Sequence, residues 1–247
     1  MSIESYADLL RLKEVGHICH LALRAMGRFV RPGVTTRQLA DVGARVMREN
    51  GARSAPALIY GFPGEICISV NDEAVHGIPS PRQIERGDLV KLDVTFEKNG
   101  YVGDAAITVA VEPASEQARR LARCAERAFE QAMRVARAHH RINEIGRAVE
   151  QEVHRSGFLV IRALGGHGIG RTIHEPPSVP NYADLAARKR LTPGLVITVE
   201  PIIATSTEHS FTAADGWTER TSDGSLAAHF EHTIIITESQ PILLTAA

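Results

Sequence analysis

A chain of 247 residues, 44% hydrophobic and 23% charged, is long enough for one large or two small domains with a sizeable core. Its net charge of −1 and the lack of a long apolar run argue against proteins that chiefly bind DNA or span a membrane. Three widely spaced cysteines and an acidic N-terminus indicate neither a disulfide framework nor a secretory signal. We therefore expect a cytoplasmic monomer.

Helices and strands are predicted to alternate in groups along the chain. Apolar residues at helical spacing predict helices over residues 6–29, 35–50, 115–138 and 143–156, and Thr35 and Gln38 form a capping box for the second. Between the helices, β-branched runs predict strands over residues 67–70, 89–96, 102–111, 158–163, 196–200 and 230–237. This order is typical of an α+β fold rather than of repeated βαβ units.

Two parts of the chain resemble each other. The apolar pattern that ends at Gly51 recurs at Gly157, and the segment 87–93 recurs at 194–200, so the offset is 106 and then 107 residues. Both copies of the second segment carry an acid six residues after a glycine. A duplicated helix–strand unit would give one domain with pseudo-twofold halves of about 1–110 and 111–247. Chance similarity between two amphipathic units is the alternative.

Two acids fall in a predicted β-hairpin. Asp93 and Asp104 flank the turn signal Asn99-Gly100. With residues 98–99 as the loop the acids lie directly opposite each other, and with 99–100 they are diagonal neighbours; both registers place them on one face. Two negatively charged carboxylates that are close neighbours on one face of a sheet repel each other unless a cation or a shared proton lies between them.

A glycine-rich segment, Gly165 to Gly170, superficially resembles a dinucleotide-binding loop. That interpretation requires a helix directly afterwards, and the prolines at 176, 177 and 180 prevent one. We instead expect a loop whose glycines clear space around His167, with His174 in the same loop.

Two further acids lie on or next to apolar strands. Glu200 ends the strand before Pro201, and Glu231 shares a strand face with His229 because strand side chains alternate. Together with Asp93, Asp104 and His167, these two glutamates give four carboxylates and one imidazole. This donor set suits a pair of divalent ions able to activate water. The sequence therefore predicts a metal-dependent hydrolase with the ligands Asp93, Asp104, His167, Glu200 and Glu231.

The chain resembles the type I methionine aminopeptidases over nearly its whole length. Six motifs carry the resemblance: Asn71-Asp-Glu-Ala-Val-His76-Gly-Ile-Pro79, Gly87-Asp-Leu-Val-Lys-Leu-Asp93, Gly103-Asp104, Gly166-His167-Gly-Ile-Gly-Arg-Thr-Ile-His174-Glu-Pro-Pro177, Thr198-Val-Glu200-Pro201 and Phe230-Glu231-His-Thr233. The family has the pita-bread fold, so the resemblance implies a mainly antiparallel, curved sheet covered by helices. There is no room for the inserted helical subdomain of the type II enzymes.

The resemblance also implies an activity and roles for residues. The family removes N-terminal methionine from peptides and nascent chains, favouring a small second residue, with two divalent ions (Co, Mn, Fe, Ni or Zn). Asp104 and Glu231 would bridge the ions, and Glu200 would take a proton from the attacking water. His174 would stabilise the developing oxyanion, and His76 would contact the amide nitrogen of the scissile bond.

The predicted methionine pocket departs from the family pattern. Residues carried over as substrate-binding are His76, His174, Phe62, Cys67, Trp217 and Ile59. In the family pattern a cysteine is usual near the position of Pro56 and a tyrosine near that of Ile59. A phenylalanine is common at the position of Ile173 and a glutamine at that of His229. A wider or more aliphatic pocket would weaken the preference for Met over Leu.

Two rival functions and one possible partner remain open. An Xaa-Pro peptidase or creatinase-like hydrolase shares the pita-bread fold, and a non-catalytic peptide-binding module is the alternative outside enzymes. The arginines from Arg119 to Arg141 raise the possibility of contact with ribosomal RNA. Because glutamates interleave with them, we favour a solvated helix face.

Overall fold

The computed structural model describes residues 1–246, which contain five helices and fifteen strands. The helices are α1 (Tyr6–Phe29), α2 (Thr36–Glu49), α3 (Ala55–Tyr60), α4 (Glu116–Met133) and α5 (Ile142–Arg155). The strands are β1 (Arg53–Ser54), β2 (Cys67–Val70), β3 (Glu73–Val75), β4 (Leu89–Lys98), β5 (Tyr101–Ala110), β6 (Leu159–Val160), β7 (Gly165–Gly168), β8 (Glu175–Pro180), β9 (Val196–Val199), β10 (Ile202–Ala204), β11 (Ser210–Thr212), β12 (Glu219–Thr221), β13 (Ala227–His229), β14 (Glu231–Ile235) and β15 (Ile242–Leu243). Within these residues, no helix is both long enough and apolar enough to cross a bilayer.

A nine-stranded sheet forms the centre of the fold. Its main path runs β1-β4-β5-β14-β9-β7-β8, with β2 paired to β4 and β15 paired to β14. Two three-stranded sheets, β13-β10-β6 and β11-β12-β3, complete the strand structure. All twelve strand pairings in the described part of the chain are antiparallel. The predicted α+β, mainly antiparallel fold is confirmed.

Each of two helix pairs packs on its own part of the strand structure. Helices α1 and α2 contribute Leu12 and Leu39 to one core, together with Leu92 of β4. Helices α4 and α5 contribute Leu121 and Val149 to a second core that also contains residues of β9. This arrangement agrees with a duplicated helix–strand unit, and the division into two halves stays a prediction.

All four predicted helices and all six predicted strands have counterparts among residues 1–246, which also contain nine strands that were not predicted. Helix α4 ends at Met133 rather than near 138, because the backbone amides of Ala138 and His139 bond to the carbonyls of Thr237 and Leu191 instead. In the segment predicted as a strand over 158–163, only Leu159–Val160 is one. Helix α3 was not predicted; Ser54 caps it by accepting a hydrogen bond from the Ala57 amide.

The arginines of α4 mostly bind glutamates of the same chain. Arg119 contacts Glu112 and Glu116, Arg123 contacts Glu116, and Arg127 contacts the nearly buried Glu152 of α5. Such pairing is what a solvated, self-neutralised helix face requires. Contact with ribosomal RNA stays a prediction.

Candidate metal centre

Five predicted ligands lie on five neighbouring strands of the central sheet. In the order of that sheet they are Asp93 on β4, Asp104 on β5, Glu231 at the start of β14, Glu200 directly after β9 and His167 on β7. His232 pairs with Val199, so Glu231 and Glu200 lie next to each other across β14 and β9. Residues up to 138 positions apart in the chain thus meet on one sheet.

The β4–β5 hairpin adopts the second of the two predicted registers. Asn99 and Gly100 form the turn with φ values of 54° and 79°, the left-handed conformation that a type I′ turn requires. Asp93 therefore pairs with Ala106, and Thr95 pairs with Asp104. The two acids are diagonal neighbours, and the Thr95 hydroxyl donates a 2.9 Å hydrogen bond to Asp104 Oδ1.

His167 lies on a strand, where a loop was predicted. A Cβ on Gly166 would come within 2.5 Å of the Thr198 carbonyl oxygen, and one on Gly168 within 2.4 Å of that of Pro176. The glycines therefore allow β7 to pack tightly between β9 and β8. Strand β8 can contain prolines because it is at the edge of the sheet. Proline cannot donate a backbone hydrogen bond, and at an edge no neighbouring strand requires one on the outer side. His174 is in the loop between β7 and β8, as predicted.

The carboxyl groups carry strongly raised pKa values. Burial is the largest cause for all four, and it brings the pKa of Asp104 and of Glu200 to about 7. The pKa values of Asp93 and Glu231 are raised well above their usual range by burial and by the neighbouring carboxylates. Four acids so placed favour a bound cation that would compensate their charge.

The donor atoms fall into two groups that share Glu231. Asp104, His167 and Glu231 each offer an atom within 4.8 Å of the others, and so do Glu200, His229 and Glu231. Within residues 1–246, Glu231 Oε1 is buried and has no hydrogen-bond partner. Asp93 borders the same cavity. Two oxygen-rich groups with a common carboxylate fit a pair of divalent ions.

The ring of His167 is oriented for metal binding. Its Nδ1 lies 3.0 Å from the Gly168 carbonyl oxygen, which can only accept, so Nδ1 carries the proton. Nε2 is then free to act as a ligand, and it lies 3.4 Å from Glu200 Oε1. A second hydrogen bond that fixes the tautomer in this way is characteristic of metal-binding histidines.

A cavity of about 280 Å³ opens directly above the acidic groups. Its apolar wall includes Phe62, Cys67, Ile173 and Trp217, and the Phe62 and Trp217 rings meet edge to face at 5.3 Å. Burial raises the pKa of the Cys67 thiol, so this side chain remains a neutral part of the wall. The cavity joins an apolar pocket to a polar floor, as small-molecule sites generally do.

The structure does not place Ile59 in the cavity wall. Ile59 is 43% exposed on α3, whereas Pro56 and Tyr60, four positions apart and hence on one helical face, line the cavity. Ile59 was assigned from the family resemblance, which does not report that this residue lies outside the cavity wall.

Both predicted loop histidines border the cavity. The Tyr60 hydroxyl lies 2.7 Å from His174 Nδ1, and the His174 and His167 rings are 4.3 Å apart. Burial, followed by the charges of His167 and His76, lowers the pKa of His174 to about 4. His76 has a φ of 59° directly after β3 and lines the same cavity.

Three supporting residues were missed by the sequence prediction. Thr198 donates a 2.7 Å hydrogen bond to Glu200 Oε1 and accepts one of 3.0 Å from the His167 amide. Thr95 holds Asp104, and Tyr60 contacts His174. Strand alternation could have found Thr95 and Thr198, since each is two residues from a ligand.

A model of metallopeptidase family M24 matches residues 11–238. The chain belongs to this family. It is also 44% identical over 247 residues to methionine aminopeptidase 2 of Bacillus subtilis, covering 99% of both chains, and 36% identical to a methionine aminopeptidase of Aquifex aeolicus, with the same coverage. The predicted resemblance to the methionine aminopeptidases is confirmed, and family M24 implies the use of divalent metal.

Structural comparisons agree with membership of family M24. The crystal structure of methionine aminopeptidase from Thermotoga maritima superposes with a TM-score of 0.94 at 32% identity, covering all of both chains. The prolidase of Pyrococcus furiosus has a TM-score of 0.79 at 23% identity, and the match covers 65% of that chain. The second similarity concerns the fold alone, which the family M24 chain shares with prolidases.

Proposed function

We propose that this chain is a metal-dependent methionyl aminopeptidase that removes the N-terminal methionine of peptides and nascent chains with a small second residue. The observation that carries the proposal is the convergence of four carboxylates and His167 from five neighbouring strands on the floor of one partly apolar cavity. The relatives named methionine aminopeptidases support the same substrate class.

Asp93, Asp104, His167, Glu200 and Glu231 would hold two divalent ions. When bound, such ions polarise a carbonyl and make a water acidic enough to react near neutral pH. Glu200 would accept the proton of the attacking water, helped by the Thr198 hydroxyl that holds its carboxylate in place. The identity of the ions follows from their availability as well as from the donor set.

The chain's own residues would bind and orient the substrate. His174 would donate a hydrogen bond to the carbonyl oxygen as negative charge develops there, and Tyr60 would fix the orientation of its ring. His76 would contact the nitrogen of the scissile amide. Phe62, Cys67 and Trp217 would enclose the methionine side chain. One catalytic domain spanning residues 1–247 would contain all of these groups.

The direct test is hydrolysis of Met-Ala-Ser by metal-free protein reconstituted separately with Co²⁺, Mn²⁺, Fe²⁺, Ni²⁺ and Zn²⁺. We expect Asp104→Ala to lower kcat/KM by at least about 100-fold, because it removes a proposed metal ligand and even indirect partners of metal ligands are worth about 10–100-fold. Asp41→Ala is the matched control, since Asp41 is exposed on α2. Full activity of Asp104→Ala would contradict the two-metal assignment.

The same assay separates the rival functions. An Xaa-Pro peptidase would cleave peptides with proline in the second position in preference to Met-Ala-Ser. A peptide-binding module would bind Met-Ala-Ser without cleaving it under any metal condition. We expect the protein to release N-terminal methionine. Among other N-terminal residues, only leucine, whose side chain is similar, should be released at a comparable rate.

A further inference from the structure

One buried histidine of the site has no role among the five predicted ligands. His229 is only 2% exposed, yet neither of its ring nitrogens has a hydrogen-bond partner among residues 1–246. Buried polar side chains nearly always have a partner, so an imidazole with two free nitrogens requires an explanation. Histidines that merely pack in a core normally satisfy at least one nitrogen.

The ring lies against the carboxylates of the site. His229 Nε2 is 3.4 Å from Glu231 Oε2 and 3.9 Å from Glu200 Oε2. Both distances are too long for good hydrogen bonds. They do suit ligands of a common ion, because two donor atoms about 2.1 Å from a metal are about 3.4 Å apart at a tetrahedral angle and up to about 4.2 Å apart at wider angles.

A comparison with His167 strengthens this interpretation. His167 Nε2 lies at the same separation of 3.4 Å from a carboxylate oxygen, that of Glu200 Oε1. Each imidazole belongs to a separate group of three donors, and the two groups share only Glu231. The two histidines are therefore placed alike with respect to the central carboxylates.

The backbone around His229 is fixed by the sheets. The Thr108 hydroxyl donates a 2.8 Å hydrogen bond to the His229 carbonyl oxygen and accepts one of 2.9 Å from its amide. His229 also pairs with Ile202 in the β10–β13 ladder. A ring attached to so constrained a backbone can present a nitrogen at a defined position with little loss of entropy on binding.

We propose that His229 is a sixth protein ligand, whose imidazole binds the divalent ion held by Glu200 and Glu231. This inference rests on the proposed two-metal function. A nitrogen donor favours Co²⁺, Ni²⁺ and Zn²⁺ over the harder Mn²⁺. The residue would therefore bias the metal preference of this chain.

Proton NMR of the protein loaded with two equivalents of Co²⁺ tests the proposal directly. Every imidazole bound to Co²⁺ gives one strongly shifted, solvent-exchangeable N–H signal, and we expect two in the unmodified protein. His229→Gln should remove one signal and His167→Gln the other. His154→Gln is the control, because His154 is exposed on α5, and it should retain both.

Calorimetric titration adds a second measurement that does not depend on activity. We expect His229→Gln to weaken binding of one of the two Co²⁺ ions by at least about tenfold, since even indirect partners of a metal ligand are worth about 10–100-fold. Mn²⁺ binding should weaken less than Co²⁺ binding.

The outcomes distinguish failure of this proposal from failure of the proposed function. If only the His167 signal appears and His229→Gln leaves Co²⁺ affinity unchanged, His229 is not a ligand and the two-metal site stands. The same result combined with a raised KM for Met-Ala-Ser would make His229 a contact of the substrate and would equally overturn the proposal. If no shifted signal and no heat of binding appear, the metal centre itself is wrong.

Discussion

Thr198 is the residue that joins two predicted ligands to each other. Its hydroxyl donates to Glu200 and accepts from the His167 amide, and the side chain is completely buried. Thr198→Val has nearly the same shape but leaves the His167 amide without a partner, which costs about 1–3 kcal/mol of stability. We expect metal affinity to fall about 10–100-fold, as for other partners of metal ligands.

Two measurements test the role of Thr198: a calorimetric titration with Co²⁺, and kcat for the hydrolysis of Met-Ala-Ser. Thr198→Ser keeps the hydroxyl and should restore most of the affinity, which a purely steric effect of the substitution would not allow. If Thr198→Val bound Co²⁺ as tightly as the unmodified protein, the hydroxyl would not position the ligands.

Ile173 sets part of the shape of the predicted methionine pocket. Its side chain is buried and lines the cavity, at a position where the resemblance to the methionine aminopeptidases would place phenylalanine. An apolar pocket separates side chains of similar size by about 10–200-fold, so we expect a ratio of kcat/KM for Met-Ala-Ser over Leu-Ala-Ser below about 200. Ile173→Phe should raise this ratio by narrowing the pocket. A ratio far above 200 that is unaffected by Ile173→Phe would contradict the prediction of a softened preference.

At the residue scale, the convergence of the five candidate ligands was predictable and their neighbours were predictable only in part. A charge inside an apolar strand requires compensation, and this made Asp93, Glu200 and Glu231 conspicuous in the sequence. Strand alternation contained the information for Thr198 as well. The position of Tyr60 depends on the six-residue helix α3, which is too short to produce a periodic pattern, and the family resemblance had pointed to Ile59.

Strand β7 shows the same limitation for a whole element. Four residues with three glycines have no strand propensity, and the segment was predicted as a loop. Its strand conformation comes from pairing with β8 and β9 at close range, a tertiary effect that local patterns do not report. The prolines correctly excluded a helix, but they did not indicate that β8 would be an edge strand.

The close approach of β7 to β9 gives a prediction at the scale of the element. In Gly166→Ala the new methyl group would lie 2.5 Å from the Thr198 carbonyl oxygen, so the strands must separate and His167 must move. We expect a loss of about 1–3 kcal/mol in the free energy of unfolding, typical of overpacking, and a loss of tight Co²⁺ binding.

Gly27→Ala is the matched control for Gly166→Ala. Gly27 lies in α1, and a Cβ there would meet only the Ile107 side chain at 3.6 Å, an ordinary contact. Replacing a helical glycine by alanine should stabilise the protein by about 0.5–1 kcal/mol and leave metal binding unchanged. Denaturant unfolding and calorimetry of the two variants would check both effects, and equal stability of the two would contradict the packing argument.

For the molecule as a whole, the sequence predicted the α+β class but not the order of the strands, and the division into two repeated halves stays a prediction. The echo between residues 87–93 and 194–200 suggested similar positions for Asp93 and Glu200, but Asp93 lies in the middle of β4, whereas Glu200 directly follows β9. Strand order depends on pairing between residues far apart in the chain. The placement of all five ligands on consecutive strands therefore became visible only in the fold.

The buried carboxylates couple the stability of the whole molecule to pH and metal. Burial raises the pKa of Asp104 and Glu200 to about 7 in the folded metal-free protein, against about 4 in an unfolded chain. Between those values the folded state binds more protons than the unfolded state, so these groups make stability fall as the pH rises.

We expect the Tm of EDTA-treated protein to decrease from pH 5 to pH 8, and to decrease less in Asp104→Asn. Saturating Co²⁺ should abolish the decrease, because the ion compensates the charges and binds more tightly as protons leave. Thermal unfolding by circular dichroism would measure this, and a Tm that rises with pH equally in both metal-free proteins would show that the acids are not buried together.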